Sequence, residues 1–225
     1  MAIAIVQQAS GIFPYATSLA ITPTVAVTSG NLLVVTVRGV ALVTSITGGG
    51  VATWVNSVIA TNSGNLTSIW YGYTTGGTAA VVVNVSNHPT GAAVSFAEFS
   101  GTITSGTATD GVNTSTGANS AAATTGSITP TAATNVLLVT AFIVSGNPIT
   151  STYPATGWTP LLGSANSTAG ASALLADYRL VTSATGSYSE VFTGPYAKYA
   201  ACIAAFKAAG GAPPPTSNSG FFRLF

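Results

Sequence analysis

ITPTVAVTSGNLLVVTVRG, from Ile21 to Gly39, returns later in the chain as ITPTAATNVLLVTAFIVSG, from Ile128 to Gly146. Each copy runs from a Thr-Pro turn through Gly or Asn into an unbroken stretch of Leu and Val, the pattern of a strand buried at the centre of a sheet. Two further echoes keep the same order. Trp54 and Trp158 lie at matching distances beyond the two strands, and AAVSFAEF (Ala92 to Phe99) is answered by YAACIAAF (Tyr199 to Phe206), with Phe96 over Ile203 and Phe99 over Phe206. Ordered matches at one offset predict a diverged internal duplication, with halves of about 1–104 and 105–207.

Working outward, the remaining strands are short and bounded by Gly, Asn, Ser and Pro: Ile3–Gln7, Leu19–Ile21, Ser68–Thr74, Ala80–Val85 and Ala93–Ser100, then Ala173–Val181, Ser187–Phe192 and Ala200–Lys207. The Ser/Thr-rich stretch Thr102–Thr125 reads as a loop. Along Leu174–Val181, Leu175, Asp177 and Arg179 share one face and Leu174, Ala176, Tyr178 and Leu180 the other, which predicts one buried and one wet face. Ala-rich Tyr196–Ala209 is a helix candidate, but its match to Ala92–Phe99 favours a strand. The expected fold is all-β: a two-sheet antiparallel, jelly-roll-like sandwich over residues 1–207, both halves sharing one core, with an extended tail at 208–225.

Composition agrees. With 47% of residues apolar and 4% charged, the chain has the reverse of a disordered composition. Its charges are Arg38, Arg179, Lys198, Lys207 and Arg223 against Glu98, Asp110, Asp177 and Glu190, beside one histidine, His88, and one cysteine, Cys202. Acid–base, metal and nucleophilic chemistry draw on clusters of such residues, so no catalytic set, metal or cofactor is expected. A net charge of +1 with no basic stripe argues against nucleic acid. No window approaches the ~18 apolar residues that span a bilayer. The opening MAIAIVQQASGIF has no basic region and its apolar stretch ends at Val6, which predicts no secretory signal.

Individual residues have plain structural readings. Glu98 and Glu190 are the two glutamates a glycosidase pair would need, but they fall at unmatched places in the duplication. Asp177 and Arg179 are expected to pair with each other. Asp110-Gly-Val-Asn113 offers calcium one carboxylate, too few, and reads as a turn. His88 in SNHPTG is a turn residue, and Cys202 a small buried hydrophobe. Trp70, Tyr71 and Tyr73 put aromatics on both faces of one strand, so one set is expected to leave the core, for a subunit interface or to stack on a sugar. Phe221, Phe222, Arg223, Leu224 and Phe225, beyond the spacer Pro213–Pro215, read as a partner-docking tail.

With these residues in view, the chain resembles a group of β-sandwich domains of bacteriophage structural proteins and bacterial surface proteins. The resemblance rests on the opening IAIVQQAS, then GNLLVV, VSFAEFSG, Gly157–Thr159 and the closing AAFK. It implies a virion subunit without enzymatic activity, a capsid decoration, cement or fibre-type protein. Such a subunit would pair with itself, as a trimer or larger array, and with other virion proteins, assembling in the host cytoplasm. The alternative is a carbohydrate-binding adhesin domain meeting a host-surface glycan.

Overall fold

The computed structural model describes residues 2–39, 41–87, 90–104, 108–132, 135–146, 154–161, 173–182 and 186–209. These residues form antiparallel strands and no helix, consistent with a β-sandwich. The first five-stranded sheet is built from β1 (Ala4–Pro14), β3 (Leu32–Gly39), β5 (Val55–Asn62), β6 (Asn65–Tyr73) and β8 (Thr90–Ser100), in the spatial order β1-β8-β3-β6-β5. The second holds β9 (Thr109–Thr124), β10 (Val136–Gly146), β11 (Thr159–Pro160), β12 (Ala173–Val181) and β13 (Val191–Lys207), ordered β11-β12-β10-β13-β9. Counted along the chain, both sheets place their strands in the order first, fifth, second, fourth, third.

The Leu/Val runs of the opening motif become the central strands β3 and β10. Alternation along each feeds two different cores. Leu32 and Val34 meet Leu137, Val139 and Ala141 in a core shared by the two sheets. Leu33, Val35 and Val37 face the other way, onto a third sheet of β2 (Ser18–Ile21), β7 (Val81–Val85) and β4 (Val43–Gly48), ordered β2-β7-β4. The layers therefore number three sheets where two were expected. The far face of the second sheet is covered by segments around Ile128, Trp158 and Tyr188. Ile128 and Tyr188 form one isolated bridge where the first half pairs Ile21 with Val81.

The shared core is crossed by two matching ring contacts. Leu32 lies opposite Phe99 and Leu137 opposite Phe206, while Val34 lies opposite Tyr71 and Val139 opposite Tyr178. Phe99 then meets Tyr178 edge to face at 5.5 Å, and Phe206 meets Tyr71 at 5.4 Å. Each half gives the other the same pair of positions, the pattern of a two-fold contact. One flank of this interface is pinned by Asn62, whose Nδ2 donates to the carbonyls of Gly117 (2.8 Å) and Tyr199 (3.0 Å). Gly117 cannot be larger, because a Cβ there would sit 2.4 Å from the Tyr199 ring.

Two expectations need correction. Thr102–Thr125 is largely strand: β9 pairs along its length with β13, and its register shifts fall beside the positive-φ residues Gly111 and Asn119. Its Thr, Ser and Ala side chains leave no apolar alternation to read, so the backbone ladder and not burial defines it. Ser187–Phe192 and Ala200–Lys207 are not two separate strands either, since β13 runs continuously through Tyr196.

Candidate functional site

All four carboxylates of the chain point inward. Glu98, Asp110, Asp177 and Glu190 are each buried, two of them on the second sheet's covered face. Because acids so seldom bury without a partner, the surroundings of these four are where site chemistry has to be sought.

Glu98 follows Phe96 on the β8 face that looks toward the third sheet. Its carboxylate meets three neutral donors: Gln7 Nε2 at 2.6 Å, Asn31 Nδ2 at 2.6 Å and the Thr28 backbone N at 2.8 Å. Gln7 extends the network, accepting at Oε1 from Thr24 Oγ1 and the Val25 N, both at 3.1 Å. These three bonds fasten the segment between β2 and β3 onto the sheet.

Asp110 lies at the start of β9, where a turn was expected, and accepts from Thr131 Oγ1 (2.5 Å) and the Ala132 N (2.7 Å), with Lys207 Nζ at 3.8 Å. Its oxygens clasp the chain that leads into β10.

The third cluster joins Asp177 on β12, Thr140 opposite it on β10, and Glu190 at the head of β13. Asp177 and Glu190 are 0% and 1% exposed. Thr140 Oγ1 donates to Glu190 Oε2, and the Glu190 N donates to Thr125 Oγ1 at 3.0 Å while the Thr125 N donates back to Glu190 O at 3.1 Å. Burial, and then the charge of Asp177, push the Glu190 carboxyl far above the glutamate range, against the opposing pull of the Thr140 hydroxyl. Glu190 therefore keeps its proton at neutral pH, beside the buried Asp177 carboxyl.

This pair was not anticipated. The sequence reading made Leu175, Asp177 and Arg179 the wet face, yet Leu175 and Asp177 are fully buried because both faces of the second sheet are covered. The expected Asp177–Arg179 pair is not among the ion pairs of the described residues; the Arg179 guanidinium lies 5.5 Å from the Tyr188 ring centroid. The one available signal was that Asp177 stands two residues from Leu175 on the same face of its strand. Glu98 and Glu190 stand on opposite outer faces of the sheet stack, so these two carboxyls never face each other.

Aromatics expected to leave the core are held within the chain. Trp70 is half-buried against the core beneath the third sheet, with Nε1 donating to Ser68 Oγ at 3.1 Å. Tyr71 is buried in the shared core and Tyr73 packs beside it. Burial, then the neighbouring Tyr71, push the Tyr73 phenol up to about 12. Because β6 has a core on each side, the three rings form no single exposed platform. Trp54 and Trp158 occupy matching places, against the outer cores of the first and second sheets. Cys202 is buried in the shared core, where desolvation raises its thiol above the ordinary range and keeps it a thiol.

His88 and Phe221, Phe222, Arg223, Leu224 and Phe225 lie outside the described residues. Among the described residues, no group of three or more His, Cys, Asp or Glu side chains converges as a metal site would require, and no helix is long and apolar enough to cross a membrane.

With every acid inside, the described surface shows little charge. Lys198 is exposed and Arg179 and Lys207 are half-buried, while Val6, Ile12, Tyr15, Ile59 and Val112 are exposed. No family model, curated protein or solved structure matches the chain.

Proposed function

We propose that this chain is a non-enzymatic structural subunit of a virion, a phage capsid decoration, cement or fibre-type protein that works as a homo-oligomer. One observation carries the reading. The long edge strands β1, β5 and β9 expose no charged side chain, since their single charge, Asp110, is buried. Natural edge strands are ordinarily guarded by Lys, Pro or inward charges, because their open N–H and C=O groups recruit other strands. A subunit whose edges are covered by its neighbours has no need of that guard. Apolar Val6 and Ile12 on β1, Ile59 on β5 and Val112 on β9 are suited to such contacts.

The setting comes from the resemblance of IAIVQQAS, GNLLVV and VSFAEFSG to phage structural domains. The repeated strand order and the crossed Phe–Tyr contacts support descent of the two halves from one duplicated unit. Sedimentation over rising concentration, for wild type and for Ile12→Lys with Val112→Lys, tests the assembly. Wild type is expected to form a defined oligomer and the doubly charged variant to dissociate. A wild-type monomer at every concentration and salt tested, together with absence of the protein from purified particles, would overturn the proposal.

A further inference from the structure

An apolar notch of about 90 Å³ opens where the two halves meet, lined by Ala2 and Ile3 from the first half and by Asn135, Val136, Leu180 and Val181 from the second. Leu180 is exposed at its mouth. The chain leaves the sandwich on the rim of the same notch. Past β13, the Ala208 N donates to Asn135 O at 3.1 Å and the Ala209 N to Gly101 O at 2.8 Å. Gly101 in turn lies against Ala2, where a Cβ would come within 2.1 Å of the Ala2 carbonyl. Beyond Ala209 the sequence continues GGAPPPTSNSGFFRLF.

We propose that the Phe221–Phe225 segment of one copy docks in this notch on the next copy, so that subunits join head to tail. The inference rests on the assembly reading above and supplies its receptor. An uncharged, apolar notch matches a segment with four apolar side chains in five residues. A dry cavity of about 150 Å³ accepts benzene, so this smaller one admits a single side chain such as Leu224, with a phenyl ring laid over Leu180.

Reach and stiffness favour a neighbour over the chain's own notch. Residues 210–221 span up to ~40 Å when extended, and Pro213–Pro215 act as a stiff spacer. A contact between two different surfaces closes into a ring or propagates as an array.

The test is a complementation experiment. Leu180→Asp keeps the tail and spoils the notch; truncation after Gly211 keeps the notch and removes the tail. Both are expected to melt like wild type and to remain monomeric in light scattering, and an equimolar mixture should form a 1:1 complex that grows no further. Leu180→Asp assembling as wild type does would overturn the notch while leaving the assembly reading intact. Wild type, both variants and their mixture all staying monomeric would overturn both. Should Leu180→Asp fail to fold, a labelled TSNSGFFRLF peptide decides. It is expected to bind the truncated protein at least tenfold more tightly than TSNSGAARAA, and equal binding of the two would overturn the proposal.

Discussion

Glu98 and Glu190 are both glutamates buried on the outer face of a five-stranded sheet, yet they are stabilised in opposite ways. Glu98 sits among three neutral donors, each supplying a hydrogen, so its oxygens are satisfied by their neighbours. Glu190 sits beside a second carboxyl and one hydroxyl, so it must bring its own hydrogen. Burial costs are met in the first case by donor geometry and in the second by a proton. The first arrangement depends on neighbouring side chains, and the second depends on pH.

The sharpest way to separate them is to delete each carboxyl. Glu98→Ala strands Gln7 Nε2, Asn31 Nδ2 and the Thr28 N in a dry interior, and unmet buried donors cost about 1–3 kcal/mol apiece before relaxation. A loss of about 3–5 kcal/mol in urea unfolding is expected. Glu190→Ala strands one hydroxyl and relieves a crowded pair, so its cost at pH 8 should be less than half as large. Equal losses from the two deletions would mean that the Asp177–Glu190 pair is held by donors as good as those around Glu98.

The pH dependence follows from the direction of the Glu190 shift. Its folded pKa is raised above the unfolded value, so its contribution is whole below the unfolded glutamate value of about 4.3 and declines as pH rises toward the folded value. Within that window one extra bound proton in the folded state costs about 1.4 kcal/mol per pH unit. Glu190→Gln carries a permanent donor and should flatten the profile, becoming more stable than wild type at pH 8 and less so near pH 4. Parallel profiles for wild type and Glu190→Gln would show that Glu190 does not keep its proton.

A gentler probe is Thr140→Val, which keeps the shape of the side chain and removes the hydroxyl that donates to Glu190 Oε2. That hydroxyl opposes the upward shift, so its loss should raise the Glu190 pKa further and cost about 1–2 kcal/mol. Because the folded value already lies above this range, melts from pH 5 to 9 should run parallel to wild type, displaced by that cost. A shallower slope in the variant would mean that the Glu190 pKa falls when the hydroxyl is removed.

How much of this was legible follows from where side chains alternate. Leu32–Val37 and Val136–Val144 announce central strands because a Leu/Val run buried on both faces has few other readings, and the match of Phe99 to Phe206 placed their neighbours. β9 was missed since Thr, Ser, Gly and Ala carry neither a buried nor an exposed signature, and its order comes from pairing with β13. The third sheet was missed as a layer because covering both faces of β3 is a tertiary fact. That same fact turned Asp177 inward. Local spacing put Arg179 beside it, whereas Glu190 reaches it from another strand, and no property of the Ser187–Phe192 stretch states which sheet face it crosses.

Arg179 supplies the smallest test of the same contrast. If Asp177 takes its hydrogen from Glu190, Arg179 is free to act elsewhere, and its place over Tyr188 makes it a modest clamp on the segment that bridges to Ile128. Half-exposed cation–π contacts contribute about 0.5–1 kcal/mol, so Arg179→Gln should cost that much, with little dependence on pH from 5 to 9. A double-mutant cycle with Tyr188→Leu should recover most of the loss as coupling. If Arg179→Gln instead costs several times more and the cost grows with pH, Arg179 is compensating the Asp177 carboxylate, and the pairing expected from the strand sequence alone would be restored in place of the shared proton.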